Sequence, residues 1–133
     1  MITYHWKNVH IEITETRILQ RHEDKYGTGR DIFVRNVEVG IWFWKYYVKG
    51  LTRLVFIKSV LQAFLHNRMG DIPAEDFVIE FLRLKRTQKD GKQFVKFELC
   101  GIDGSIDEEE YFNYQEVAML DIALGKALNF LSP

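Results

Sequence analysis

Four histidines, one cysteine and a run of carboxylates are the residue types through which this chain of 133 residues could do chemistry. His5, His10, His22 and His66 all fall in the first half, and none stands in the H-E-x-x-H spacing that sets two ligands on one helical face. His10 and Glu12 share one face of a β-rich segment, where a histidine is ordinarily a surface or boundary residue. Cys100, beside Phe97 and Leu99, reads as a small apolar side chain within a strand. The acidic stretch "DGSIDEEEY" at 103 to 111 lacks the alternating oxygen ligands of a calcium loop and reads as a solvated loop. "YGTGRD" at 26 to 31 lacks the lysine and the strand-to-helix setting of a phosphate loop and reads as a hairpin tip. No nucleophile is paired with a base, so no catalytic residue, metal or cofactor is assigned and the chain is read as a non-enzyme.

Binding chemistry is better represented. "GIWFWKYYVKG" at 40 to 50 holds five aromatic side chains in the six positions from Trp42 to Tyr47. Side chains alternate along a strand, so Val37, Val39, Ile41 and Phe43 are expected on one face and Trp42, Trp44 and Tyr46 on the other. The first set suits a core. The second either packs inside the fold or a dimer, or stacks unpaired bases while Arg35, Lys45 and Lys49 neutralise phosphates. A second basic group, including Arg83, Lys85 and Lys92, flanks Asp90-Gly91 and is either a backbone grip or a solvated hairpin.

The elements that must hold these residues are legible from periodicity. Leu54, Ile57, Leu61, Phe64 and Leu65 predict an amphipathic helix over "LTRLVFIKSVLQAFLHN", ending near Asn67 to Gly70. Val117, Leu120, Leu124, Leu128 and Leu131 predict a second, which Asn113 and Glu116 open as a capping box. Alternating segments "VHIEITETRIL" and "FVIEFLRLKRT" read as strands, with Asp90-Gly91 as a tight turn. "FVRNVEVGI" at 33 to 41 also aligns with "FVKFELCGI" at 94 to 102, which sets Glu38 opposite Glu98. The expectation is one α+β domain over 1–133: a tandem repeat, 1–70 and 74–133, of antiparallel strands followed by one amphipathic helix, the helices packed on curved sheets. Met69, Gly70, Asp71, Ile72, Pro73 and Ala74 would join the halves.

Charge is divided between those halves. Residues 1–70 hold 11 Lys and Arg against 6 Asp and Glu, and residues 71–133 hold 7 against 13. Such a dipole fits a basic binding surface or a homodimer. The single cysteine excludes an internal disulfide, the start has no signal-peptide pattern, and no apolar run reaches the ~20 residues of a membrane helix. A cytoplasmic protein with no membrane partner is expected.

The hairpin "FVIEFLRLKRTQKDGKQFVKFEL" and the capped helix "NYQEVAMLDIALGKAL", with their counterparts at 9 to 41 and 51 to 66, resemble the strands-then-helix units of Whirly proteins, PUR-repeat proteins and related transcriptional coactivator domains. That resemblance implies single-stranded DNA or RNA as partner. The alternative is a protein-interaction module, such as a phage or mobile-element inhibitor or an assembly subunit, whose aromatic row meets a protein partner.

Overall fold

The computed structural model describes residues 1–66 and 77–131. Among these residues the chain forms eight strands and two α-helices, a small α+β fold. Strands β1 (Ile2–Trp6), β2 (Val9–Glu23), β3 (Gly29–Phe43) and β4 (Tyr46–Lys49) form one antiparallel sheet in that order and lead into helix α1 (Leu51–His66). Strands β5 (Phe77–Ile79), β6 (Leu82–Lys89), β7 (Lys92–Cys100) and β8 (Ile106–Phe112) form the second, followed by helix α2 (Tyr114–Leu128) and a 3-10 turn at Asn129–Leu131.

Alternation decides what each sheet buries. Val9, Ile11, Ile13, Val39, Ile41 and Phe43 of the first sheet, with Val48 opposite Ile41, have at most 5% exposure, as alternation predicts. They share one core with Leu82, Leu84, Val95, Phe97 and Phe112 of the second sheet and with the helix stripes. Phe43 meets Phe97 across the two sheets at 5.9 Å between ring centroids, and Phe97 stacks on Phe112 at 4.6 Å. Helix α2 lies against strands of both sheets and against α1. Lys58 of α1 donates to the Asp121 side chain at 2.8 Å, next to Gly125, which tethers the two helices.

Helix ends follow local chemistry. At α2 the Asn113 side chain accepts from the Glu116 amide at 2.8 Å, and the Glu116 carboxylate accepts from the Asn113 amide at 2.9 Å. The capping box expected from sequence is thus present. Gly50 takes φ +96° just before α1, a backbone conformation that a side chain would strain. The expected connection at residues 69–74 lies outside the described residues.

Two strand readings are corrected. "FVIEFLRLKRT" is two strands, because Glu80, at φ 52°, and Phe81 turn the chain between β5 and β6. The acidic stretch is not a loop throughout: residues 101–105 turn, and Ile106–Phe112 is the edge strand β8. Cross-strand pairing overrides the poor strand propensity of its carboxylates; Glu109 lies opposite Glu98 and binds Lys96 at 3.0 Å. Cys100 sits half-buried at the end of β7.

The alignment of "FVRNVEVGI" with "FVKFELCGI" is also displaced. Counted from the two-residue turns after β1 and β5, the hairpin registers pair Val9 with Phe43 and Leu82 with Leu99. In those registers Trp42 stands opposite His10 and Glu98 opposite Arg83. The displacement arises because β2 and β3 run on past the body of their sheet, which puts Phe33 on an exposed ribbon and Phe94 near a short turn.

Candidate functional site

The face of the first sheet turned away from the core carries a row of rings that crosses all four strands. The Lys7-Asn8 turn sets His5 opposite His10, the long hairpin sets His10 opposite Trp42, and the Trp44-Lys45 turn sets Trp42 opposite Tyr47. His5 meets His10 edge-on at 5.8 Å, His10 stacks on Trp42 at 5.7 Å with 13° between planes, and Trp42 lies 4.6 Å from Tyr47. The last three are half-buried against one another while His5 is exposed. Such a row sets four aromatic rings along one line on the outer face of the sheet, in contact with one another.

The polar edges of the row are held from the next row along the strands. Trp42 Nε1 donates to Glu12 at 3.2 Å, and the Tyr47 hydroxyl donates to Glu38 at 2.8 Å. Lys49 lies 3.5 Å from Glu38. Burial, together with the bond to Glu38, pushes the Tyr47 hydroxyl up to about 12. The Tyr47 ring lies over Gly40, the residue opposite Lys49, where an added methyl would overlap it.

Gly40→Ala is therefore expected to lift Tyr47 off the sheet and break its contact with Trp42. Spectrophotometric titration should then find the tyrosine moving from about 12 back toward 10.0. The sign for stability follows: the folded value is raised, so this contribution is complete below pH 10.0 and is lost as pH climbs through about 12. An unchanged titration would show that the ring does not depend on the glycine.

The expected shared face of Trp42, Trp44 and Tyr46 does not exist. A strict alternation fails at the hairpin, where Trp44, at φ 56°, and Lys45 form the turn itself. Trp44 donates its amide to the Asn8 carbonyl at 2.8 Å and packs against the core. Tyr46, opposite Phe43, faces the core side; its hydroxyl bonds Glu80 and its ring meets Phe81 of the second sheet edge-on. Of the expected cations, Lys49 shares the face of Trp42, and Lys45 is exposed in the adjoining turn. Arg35 lies out on the ribbon, on the opposite face, paired with Glu15.

Arg83 and Lys85 come together on the outer face of the second sheet, around a carboxylate that sequence reasoning did not single out. Glu98 has 0% exposure. Arg83 grips it with two hydrogen bonds of 3.3 and 3.2 Å, Lys85 lies at 3.2 Å and Lys96 at 3.8 Å. Burial alone would push the Glu98 carboxyl up, but the bonds from Arg83 and Lys85 and the charge of Lys96 outweigh it and hold it below the usual carboxylate range. Lys89 and Lys96 also stand over the Tyr111 ring at 4.7 and 5.6 Å, with Phe94 edge-on to that ring. Lys92 lies apart, exposed at the hairpin end beside Gly91.

His5, His10 and Tyr47 were missed because membership of the row depends on register. Part of the signal was available in the turn lengths: two residues after Trp6 fix His5 with His10 and two after Phe43 fix Trp42 with Tyr47, while His10 with Trp42 depends on the register of the long hairpin. Among the described residues no three His, Cys, Asp or Glu side chains are grouped to hold a metal ion. No described helix is long and apolar enough to cross a membrane. No known protein-family model matches the chain, and no curated protein is similar to it in sequence.

Proposed function

We propose that the protein is a non-enzymatic, cytoplasmic binder of single-stranded DNA or RNA whose two halves are pseudo-repeats. The observation that carries this reading is the line of His5, His10, Trp42 and Tyr47 across the open face of the first sheet. Its half-buried rings, with His5 exposed at one end, suit contact with unpaired bases of any sequence, while Lys45 and Lys49 lie nearby for phosphates. Arg83, Lys85 and Lys96 supply a second, basic surface, in which Glu98 engages all three and Glu109 also pairs with Lys96. A protein-interaction module is the second reading, favoured by an apolar cleft of ≈ 320 Å³ between β1 and α2 that Tyr4, Trp6 and Met119 line.

A titration of tryptophan fluorescence with a short single-stranded oligonucleotide, at low and moderate salt, tests the first reading. Quenching should weaken as salt rises, because neutralising phosphates releases counterions. Trp42→Ala should weaken binding by about 1–3 kcal/mol, the worth of one stacked base. Trp44→Ala, which removes a turn and core residue, should lower stability and leave affinity alone. Absence of quenching at low salt sinks the nucleic-acid reading and leaves the cleft beside α2 as the surface to pursue.

A further inference from the structure

The β2–β3 hairpin continues far beyond the sheet that contains it. Met1 and β1 cover β2 only as far as Ile13, and β4 covers only residues 40–43 of β3. From residue 14 to residue 38 the two strands pair with each other and, among the described residues, with no other strand. A lone two-stranded ribbon is marginal in water. This one also exposes Ile18, Leu19 and Phe33 to 49%, 56% and 71%. Its outer edges carry no proline that would block a further strand.

We propose that this ribbon is a dimerisation arm and that its partner is the same arm of a second copy, joined along the free edge of β3. The argument is self-complementarity. In an antiparallel pairing centred on Phe33, the ring meets the partner's Phe33, Ile32 and Val34 face the partner's Val34 and Ile32, and Asp31 and Arg35 face the partner's Arg35 and Asp31. All five central positions match in charge or apolar character. Within each arm Leu19 already lies opposite Phe33, and Ile18 opposite Val34. The joint sheet therefore gains an unbroken apolar row across four strands, from Leu19 through the two Phe33 rings to the partner's Leu19. Centred likewise on its own most exposed apolar residue, Leu19, β2 would set Arg17 against Arg21 and Glu15 against Glu23, so the β3 edge is the matched one. The pairing is isologous and closes at two copies.

Light scattering on the full chain during size-exclusion chromatography tests this, with far-UV circular dichroism reporting the fold. The wild type should elute with the mass of two chains. Asp31→Arg and Arg35→Asp should each elute as one chain, and an equimolar mixture of the two should return to two, because opposite charges then face each other again. Phe33→Lys, which brings like charges together at the twofold, should also give one chain. The intrachain pairs these changes disturb, Arg21 with Asp31 and Glu15 with Arg35, are exposed, so each variant should keep its fold. A wild type of one-chain mass over a concentration series overturns the proposal. So do single charge reversals that remain dimers, or a mixture of folded variants that fails to recover.

Discussion

Phe97→Ala is expected to destabilise the protein by about 3–5 kcal/mol, the usual cost of truncating a fully buried phenylalanine. Phe97 is inaccessible and lies between Phe43 of the first sheet and Phe112 of its own. Its removal takes contacts from both neighbours at once, and the cavity falls where two sheets meet, so neither can close it without moving the other. Domains of this size hold about 5–15 kcal/mol in total. Urea denaturation should therefore show a much lower midpoint with the slope retained. A loss below about 1 kcal/mol would mean that the core repacks freely and that the ring contact does not couple the sheets.

The neighbouring residue gives the second large effect by a different physics. Glu98→Gln keeps shape and removes the charge that Arg83, Lys85 and Lys96 share, while Lys96 retains Glu109. Removing one member of a fully buried ion pair costs about 3–5 kcal/mol. Here the cations retain partial exposure, 30%, 31% and 14%, and can turn toward water, so about 2 kcal/mol is expected. The pH dependence identifies the cause. The Glu98 carboxyl is held below its ordinary value, so its contribution is present above the unfolded carboxylate range and is lost as pH falls through the folded value. The difference between wild type and Glu98→Gln should accordingly shrink in acid. A difference independent of pH would assign the effect to packing.

These adjacent residues also mark what could be read without coordinates. Both helices, the capping box at Asn113 and the apolar alternation from Val37 to Phe43 depend on local spacing, and all three were legible. The ring row and the Glu98 cluster depend on which residue stands opposite which. For the rings it is set in part by Lys7-Asn8, where Lys7 takes positive φ without the glycine that usually signals it; for Glu98 it is set by Asp90-Gly91, a turn that was legible although the pairing of Arg83 with Glu98 was not counted out from it. Trp44 hides a turn in the same way, under an aromatic side chain that suggests an uninterrupted strand. β8 was obscured by its three successive glutamates, whose pairing partners lie on another strand.

Every strand in each sheet bonds to its neighbours in the chain, in the orders β1-β2-β3-β4 and β5-β6-β7-β8. The consequence concerns how the molecule assembles in time. Hairpins with short connections close small loops, so little chain entropy is lost before pairing repays it, and each sheet can form from its own segment. The meeting of Phe43 with Phe97, 54 residues apart in sequence, is then the late, long-range step that turns two local meanders into one cooperative unit.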